Sequence, residues 1–245
     1  VRYLSAGNSL VTFCIEQYEM PALCLAKQMR QVIGLDFGTT NSAIAVADAG
    51  QEATLTRFGA GSDTTTSFRS ILYFPAKDRS TTVKAETKAG PEAISSYLDA
   101  DTKGRLILSV KSYLGSRLFT STHINGRYYT LEDLIAIILR RLRTTVIEQF
   151  GVSATTVVIG RPVRFAGAEN EADETLALNR LRTAAELAGF SEVTFELEPV
   201  AAAYQYETQL DHDELVLIGD FGGGTSDFTL AQLGPGRKRT GRNPV

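Results

Sequence analysis

Among its 245 residues the chain has no tryptophan, two cysteines, two methionines and two histidines. Cys14 and Cys24 both lie near the N-terminus, which leaves no disulfide framework and no cysteine-based zinc site. His123 and His212 stand singly, without metal-ligand spacing, and read as surface residues. No apolar stretch approaches the ~18 residues of a membrane span. The apolar patch from Leu10 to Ile15 is broken by Glu16 and Glu19 and has no small-residue cleavage site, so a signal peptide is not expected. Net charge is −3 and the pI about 5.5, which gives no electrostatic reason to expect nucleic acid or an anionic membrane as partner. A reducing cytoplasm is the expected compartment. The Gly-x-x-x-x-Gly-Lys-Ser/Thr loop of P-loop enzymes is missing, as is the His-Arg-Asp loop of protein kinases.

What the chain does have is a repeated unit. Val32-Ile33-Gly34-Leu35 runs into Asp36-Phe37-Gly38-Thr39-Thr40-Asn41, and Val216-Leu217-Ile218-Gly219 runs into Asp220-Phe221-Gly222-Gly223-Gly224-Thr225-Ser226-Asp227. Each turn leads on into alternating apolar residues, Ala43 to Ala47 and Phe228 to Ala231, which predicts a second strand and not a helix. The unit is therefore a hairpin whose tight turn carries hydroxyls, glycines and a carboxylate. Such turns expose backbone N–H groups, and glycine lets backbone approach a ligand closely. An acid at the strand end can hold hydrated magnesium. Two such hairpins facing each other would clamp a magnesium triphosphate. Asp, Gly and Asn are also ordinary turn residues, so one hairpin alone would mean little.

The remaining pattern alternates strand and helix, which predicts an α/β fold. Ser70 to Pro75 reads as a strand stopped by proline. Leu131, Leu134, Ile135, Ile138, Leu139, Leu142 and Val146 recur at helical spacing, with Thr130 as N-cap and Gly151 as terminator. Thr156 to Gly160 is an apolar run suited to a strand buried on both faces. A second helix carries Leu178, Leu181, Ala185 and Ala188 on one face and ends at Gly189, and Pro199 opens the next. A short helix is expected around Leu23 to Arg30. The stretch from about Ala49 to Gly126 is irregular and is expected to be a small subdomain inserted into the first lobe. Gly234 to Val245 reads as a basic, solvated tail.

Asp-x-Gly-Thr-Thr-Asn followed by Asp-x-Gly-Gly-Gly-Thr resembles the two phosphate motifs of the actin-like ATPase superfamily. Val110-Lys111-Ser112-Tyr113-Leu114-Gly115 resembles the catalytic-lysine segment of 70-kDa heat-shock chaperones (DnaK-type), and Glu198-Pro199-Val200-Ala201-Ala202-Ala203-Tyr204 resembles their connecting helix. Gly160-Arg161-Pro162-Val163-Arg164-Phe165 looks closer to the YegD-like branch. The resemblance runs from about Val32 to Leu233. It implies an actin-like ATPase lobe, ribonuclease H-like, with a mixed sheet flanked by helices. By it, residues 1–31 are an unassigned extension, 32–212 the first lobe with the inserted subdomain at about 49–126, 213–233 the start of a truncated second lobe, and 234–245 the tail.

The resemblance also implies ATP or ADP with Mg²⁺ as cofactor. Asp36 and Asp220 would hold magnesium through water. Gly38, Thr39, Thr40 and Asn41 would hold the β- and γ-phosphates, with Gly222, Gly223, Gly224 and Thr225 as the opposing loop. Lys111 would stand near the γ-phosphate, with Glu198, Asp227 and Thr225 ordering the attacking water and metal shell. Hydrolysis of this kind depends on positioning and charge stabilisation. A solvated lysine, a helix-capping Glu198 and surface positions for Arg161 and Arg164 are the plain alternatives. The family's relay arginine aligns with Leu178, with Arg180 and Arg182 nearby. In complete relatives the activity drives a cycle on unfolded polypeptide clients with co-chaperones. The chain alone is expected to bind nucleotide weakly and to turn it over hardly at all, and its second hairpin to leave Val216, Leu217, Phe228 and Leu230 exposed. An actin-like filament protein, which lacks the lysine segment, or a sugar-kinase-like phosphotransferase, which lacks the connecting helix, are the rival readings.

Overall fold

In the computed structural model residues 31–47, 53–60, 63–76, 86–101, 104–207, 209–222 and 226–238 are described. Cys14, Cys24, the expected helix at Leu23 to Arg30, and the end of the basic tail lie outside them. Alternation every second residue makes β1 (Val32–Phe37) and β2 (Asn41–Ala47) an antiparallel hairpin, and the run at β12 (Thr156–Arg161) pairs with β1 in parallel. β13 (Glu192–Leu197) continues the parallel side. On the other side β3 (Thr54–Leu55) and β6 (Phe68–Arg69) both pair with β2. The result is a mixed six-stranded sheet in the order β13-β12-β1-β2-β3, with β6 on β2.

The two faces of that sheet differ in side-chain size, and the difference decides what packs on each. Ile33, Leu35, Phe37, Ile44, Val46, Val157 and Ile159 point to one side, into the main core. Two helices cover them. The first is preceded by a small helix, α1 (Pro91–Asp99), and is α2 (Leu131–Phe150); the second is α3 (Glu171–Ala188). α2 starts on a capping box, in which the Thr130 side chain accepts from the Asp133 N–H while Asp133 reaches back to the Thr130 N–H. It stops at Gly151, in the left-handed region at φ 66°. Leu131, Leu134, Ile135, Ile138, Leu139, Leu142 and Val146 are all buried, the stripe that their spacing predicts. α3 begins on an Asn170 cap, buries Leu181, Ala185 and Ala188, and ends at Gly189.

The other face is lined by Val32, Ala43, Ala45, Ala47 and Val158, and its small residues admit Ala201 of α4 (Glu198–Glu207). Ala202, Ala203 and Tyr206 on α4 turn instead to a second hairpin, β14 (Glu214–Phe221) with β15 (Ser226–Leu233). One alanine-rich helix thus touches both hairpins. Val216, expected at an exposed edge, is buried there with Ile218, Ala231 and Leu233. The remaining exposure expectation holds in part: Phe228 and Leu230 are open to solvent, and Leu217 is half-buried.

The irregular stretch is not separate throughout, because β3 and β6 join the main sheet. The rest of it forms a hairpin of β4 (Phe58–Ala60) and β5 (Asp63–Thr65), a three-stranded sheet of β7 (Leu72–Phe74), β8 (Lys88–Ala89) and β9 (Arg105–Ile107), and a hairpin of β10 (Thr122–Ile124) and β11 (Arg127–Tyr129). A short 3₁₀ turn at Val110–Tyr113 and a terminal turn α5 (Pro235–Lys238) complete the elements.

Candidate phosphate site

The two hairpins share one register. Phe37 stands opposite Ser42 and Phe221 opposite Ser226, so each turn spans the same four-residue interval. One pair further in, Asp36 faces Ala43 and Asp220 faces Asp227. The first turn needs its glycine for close approach: a Cβ on Gly38 would sit 2.0 Å from the Asn41 carbonyl oxygen. Thr39 and Thr40 are half-buried in that turn, and Asn41 is exposed at its exit. Gly222 is exposed at the start of the second turn, whereas Gly223, Gly224 and Thr225 lie outside the described residues.

Lys111 reaches this region from the 3₁₀ turn. Buried Val110 and Leu114 anchor that turn, and Ser109 before it adopts the left-handed region at φ 56°. The Lys111 ammonium donates to the Glu198 carboxylate at 3.0 Å, with only 12% and 11% of the two side chains exposed. Glu198 opens α4, so the connecting helix presents its first side chain to the lysine. A narrow cleft beside the pair is lined by Pro162, Val163, Glu198, Pro199, Asp220 and Asp227.

Electrostatics ties these groups together. Burial and the negative charges of Glu198 and Asp220 push the Asp36 carboxyl up to about 7, against the opposing pull of Lys111. Burial raises Asp220 as well, helped by Glu198 and Asp227 and opposed by Lys111. Burial alone would lower the Lys111 pKa, but Glu198, Asp36 and Asp220 together raise it. Three carboxylates, Asp36, Glu198 and Asp220, therefore share one ammonium, and exposed Asp227 adds its charge beside Asp220. The site has a surplus of negative charge that a cation would relieve. Among the described residues no group of three or more His, Cys, Asp or Glu side chains could hold a metal by itself. That donor set suits a cation such as Mg²⁺, which takes one or two carboxylates and completes its shell with water and phosphate.

Three contacts at the first turn carry no sequence signal. Arg69 on β6 donates to the Asn41 side-chain oxygen at 3.0 Å, which places a guanidinium beside the turn. Behind it the Ser70 N–H donates to the Thr40 carbonyl at 2.9 Å, and the Ser42 and Ser70 hydroxyls share a buried hydrogen bond at 2.9 Å. A two-residue strand such as β6 has no periodicity to read, so none of the three could be foreseen. Of the plain alternatives, Arg164 is exposed and Arg161 donates to the Pro162 carbonyl. His123 and His212 are exposed.

With this geometry in hand, comparison with known families is decisive: the Hsp70 protein family model matches residues 32–240. The chain belongs to the Hsp70 family. Its mixed α/β sheet flanked by helices agrees with the actin-like ATPase fold of that family. Membership indicates an ATP-binding, chaperone-type function, and Hsp70 ATPases in general use nucleotide with Mg²⁺ and engage clients and co-chaperones. No helix among the described residues is long and apolar enough to cross a membrane.

Proposed function

We propose that this chain carries the phosphate-binding and hydrolytic part of an Hsp70-type, Mg²⁺-dependent ATPase whose turnover drives a chaperone cycle on unfolded polypeptides. The observation that carries the reading is the buried Lys111–Glu198 pair, set electrostatically against the strand-end aspartates of both hairpins. A hairpin turn explains either aspartate alone. It does not explain a lysine brought from a separate segment and largely buried beside three carboxylates, Asp36, Glu198 and Asp220.

In this reading Asp36 and Asp220 would hold Mg²⁺ through water. Gly38, Thr39, Thr40 and Asn41 offer donors to the β- and γ-phosphates from one side, and Gly222, Gly223, Gly224 and Thr225 from the other. When bound, Mg²⁺ offsets phosphate charge and so supplies electrostatic stabilisation. Lys111 would offer its ammonium to the γ-phosphate, where negative charge redistributes in the transition state. Glu198 holds Lys111 in place, and with Asp227 and Thr225 it accepts hydrogen bonds from the attacking water. The Gly160 to Phe165 stretch supports assignment to the YegD-like branch. The lobe division at about residue 212, the inserted subdomain at about 49–126 and a cytoplasmic location are part of the same proposal.

Titration calorimetry with ATP, with and without Mg²⁺, tests it. Binding is expected to strengthen with Mg²⁺ in the wild-type chain, and Asp220→Asn should abolish that gain. Equal heats in both conditions would remove the assignment of Asp36 and Asp220.

A further inference from the structure

Arg180 makes more polar contacts than any other arginine whose bonds are described, and all of them converge on one loop and one helix start. Its Nη1 shares its hydrogens among the carbonyl oxygens of Tyr113, Leu114 and Ser116, at 3.2, 3.1 and 2.8 Å. Its Nη2 donates to the Phe119 carbonyl at 3.0 Å, and its Nε lies 3.3 Å from Glu132 in the first turn of α2. The side chain is only 13% exposed. The Tyr113 carbonyl ends the turn that carries Lys111, and the other three belong to the irregular backbone directly following it. The Tyr113 carbonyl also accepts from the Ser116 N–H at 3.1 Å, whereas the Leu114, Ser116 and Phe119 carbonyls are part-buried, where loss of a donor costs free energy.

The same loop is fastened to the start of α3 in two other ways. Arg117 in the loop donates to the buried Asp173 of α3 at 2.7 Å. Gly115 lies so close to the 166–168 backbone that a Cβ there would meet the Ala168 nitrogen at 2.9 Å. Arg117 is 65% exposed, so its pair is weakened by solvent. The shielded fork of Arg180 is the principal polar tie.

We propose that Arg180 is the positioning residue for Lys111: from α3 it clamps the 113–119 loop and so fixes where the lysine ammonium stands. The proposal rests on reading Lys111 as the cation of the phosphate site, but it is tested separately from it. In the intact chain, the rate at which a small acylating reagent modifies Lys111, followed by peptide mass spectrometry, reports how firmly the turn is held. Lys88, 33% exposed, serves as internal reference. Arg182→Gln is the control, since Arg182 sits on the same helix but bonds to the Val193 carbonyl and stacks on Phe195.

Arg180→Gln is expected to raise the Lys111 labelling rate, relative to Lys88, by about tenfold through local opening of the loop. Arg182→Gln should leave the ratio near wild type. Arg180→Lys should fall between, because a compact ammonium cannot span the carbonyls a planar fork reaches, and it keeps the proposal testable if the glutamine variant does not fold. An unchanged ratio in Arg180→Gln, or an equal rise in Arg182→Gln, would overturn the proposal. Single-turnover hydrolysis of MgATP adds a second readout: the rate constant should fall in Arg180→Gln while nucleotide affinity stays close to wild type. If Mg²⁺ does not strengthen ATP binding by the wild-type chain, the functional reading fails, and the labelling ratio still decides the role of Arg180.

Discussion

Phe37 and Phe221 occupy the same register position in two hairpins of the same design, yet Phe37 is fully buried and Phe221 is 69% exposed. The first hairpin sits inside a six-stranded sheet with helices on one face and Ala201 on the other. The second is a two-stranded sheet whose inner face rests on α4 and whose outer face carries Leu215, Phe221, Phe228 and Leu230, all exposed. Register and turn length therefore belong to the hairpin sequence, while burial belongs to what surrounds it. The functional groups follow the same division: both aspartates lie at equivalent places, and the deeper one has the carboxyl pushed up to about 7.

The comparison is broken most severely by cutting into the better-supported hairpin. Ile33→Ala should cost ~2–5 kcal/mol, since a fully buried side chain leaves a cavity that a packed sheet cannot close. Val216→Ala in the second hairpin should cost less, because only one layer packs on it. Denaturant midpoints for the two variants would show it, and equal losses would mean that the second hairpin is as firmly built in as the first.

Next in size is the chemistry at the join between the hairpins. Lys111→Ala should lower single-turnover hydrolysis of MgATP by ~10²-fold or more, as expected for a charge that acts chiefly in the transition state. Nucleotide affinity should change little. A variant that hydrolyses at the wild-type rate would reduce Lys111 to a structural partner of Glu198.

A smaller effect is expected from protons. In the folded chain without metal, Asp36 binds its proton up to about pH 7, whereas the unfolded value is 3.8. A raised carboxyl favours the folded state at low pH, so its contribution is complete below the unfolded value and is lost as pH rises through about 7. Between those limits, acidification should stabilise the chain in EDTA relative to Asp36→Asn, which lacks the group. Thermal midpoints against pH for the two proteins read this directly, and parallel curves would contradict it. Protons should also compete with Mg²⁺, so that metal binding weakens as pH falls through about 7.

The smallest change in stability belongs to the outer face of the second hairpin. Phe228→Ser with Leu230→Ser should alter stability by about 0.5 kcal/mol or less per site, the range of surface substitutions. It should nevertheless reduce light scattering at high protein concentration, because an exposed apolar strand pair invites association. Undiminished scattering would place the association surface elsewhere.

What could be read from the sequence was local. The stripe of α2, its Thr130 and Gly151 ends, the doubly buried β12 and the two strand pairs β1–β2 and β14–β15 follow from spacing within a few residues. Proximity of Lys111 to Glu198 was legible only through likeness to a family, since nothing local brings the two segments together. The two-residue strands β3 and β6 were not legible at all, for a pair of residues has no period. Burial of Val216 depends on which face of α4 turns toward it. Arg180 was hidden for a different reason: its partners are backbone carbonyls, which every residue has.

The placement of β1 at the centre of its sheet has a kinetic consequence. Its antiparallel partner β2 follows at once, but its parallel partner β12 lies about 120 residues further on, so the pairing of Ile33 with Val157 closes a very long loop. During synthesis the first hairpin emerges well before that partner exists. Until β12 is made, one edge of β1 remains an open template bearing Ile33 and Leu35.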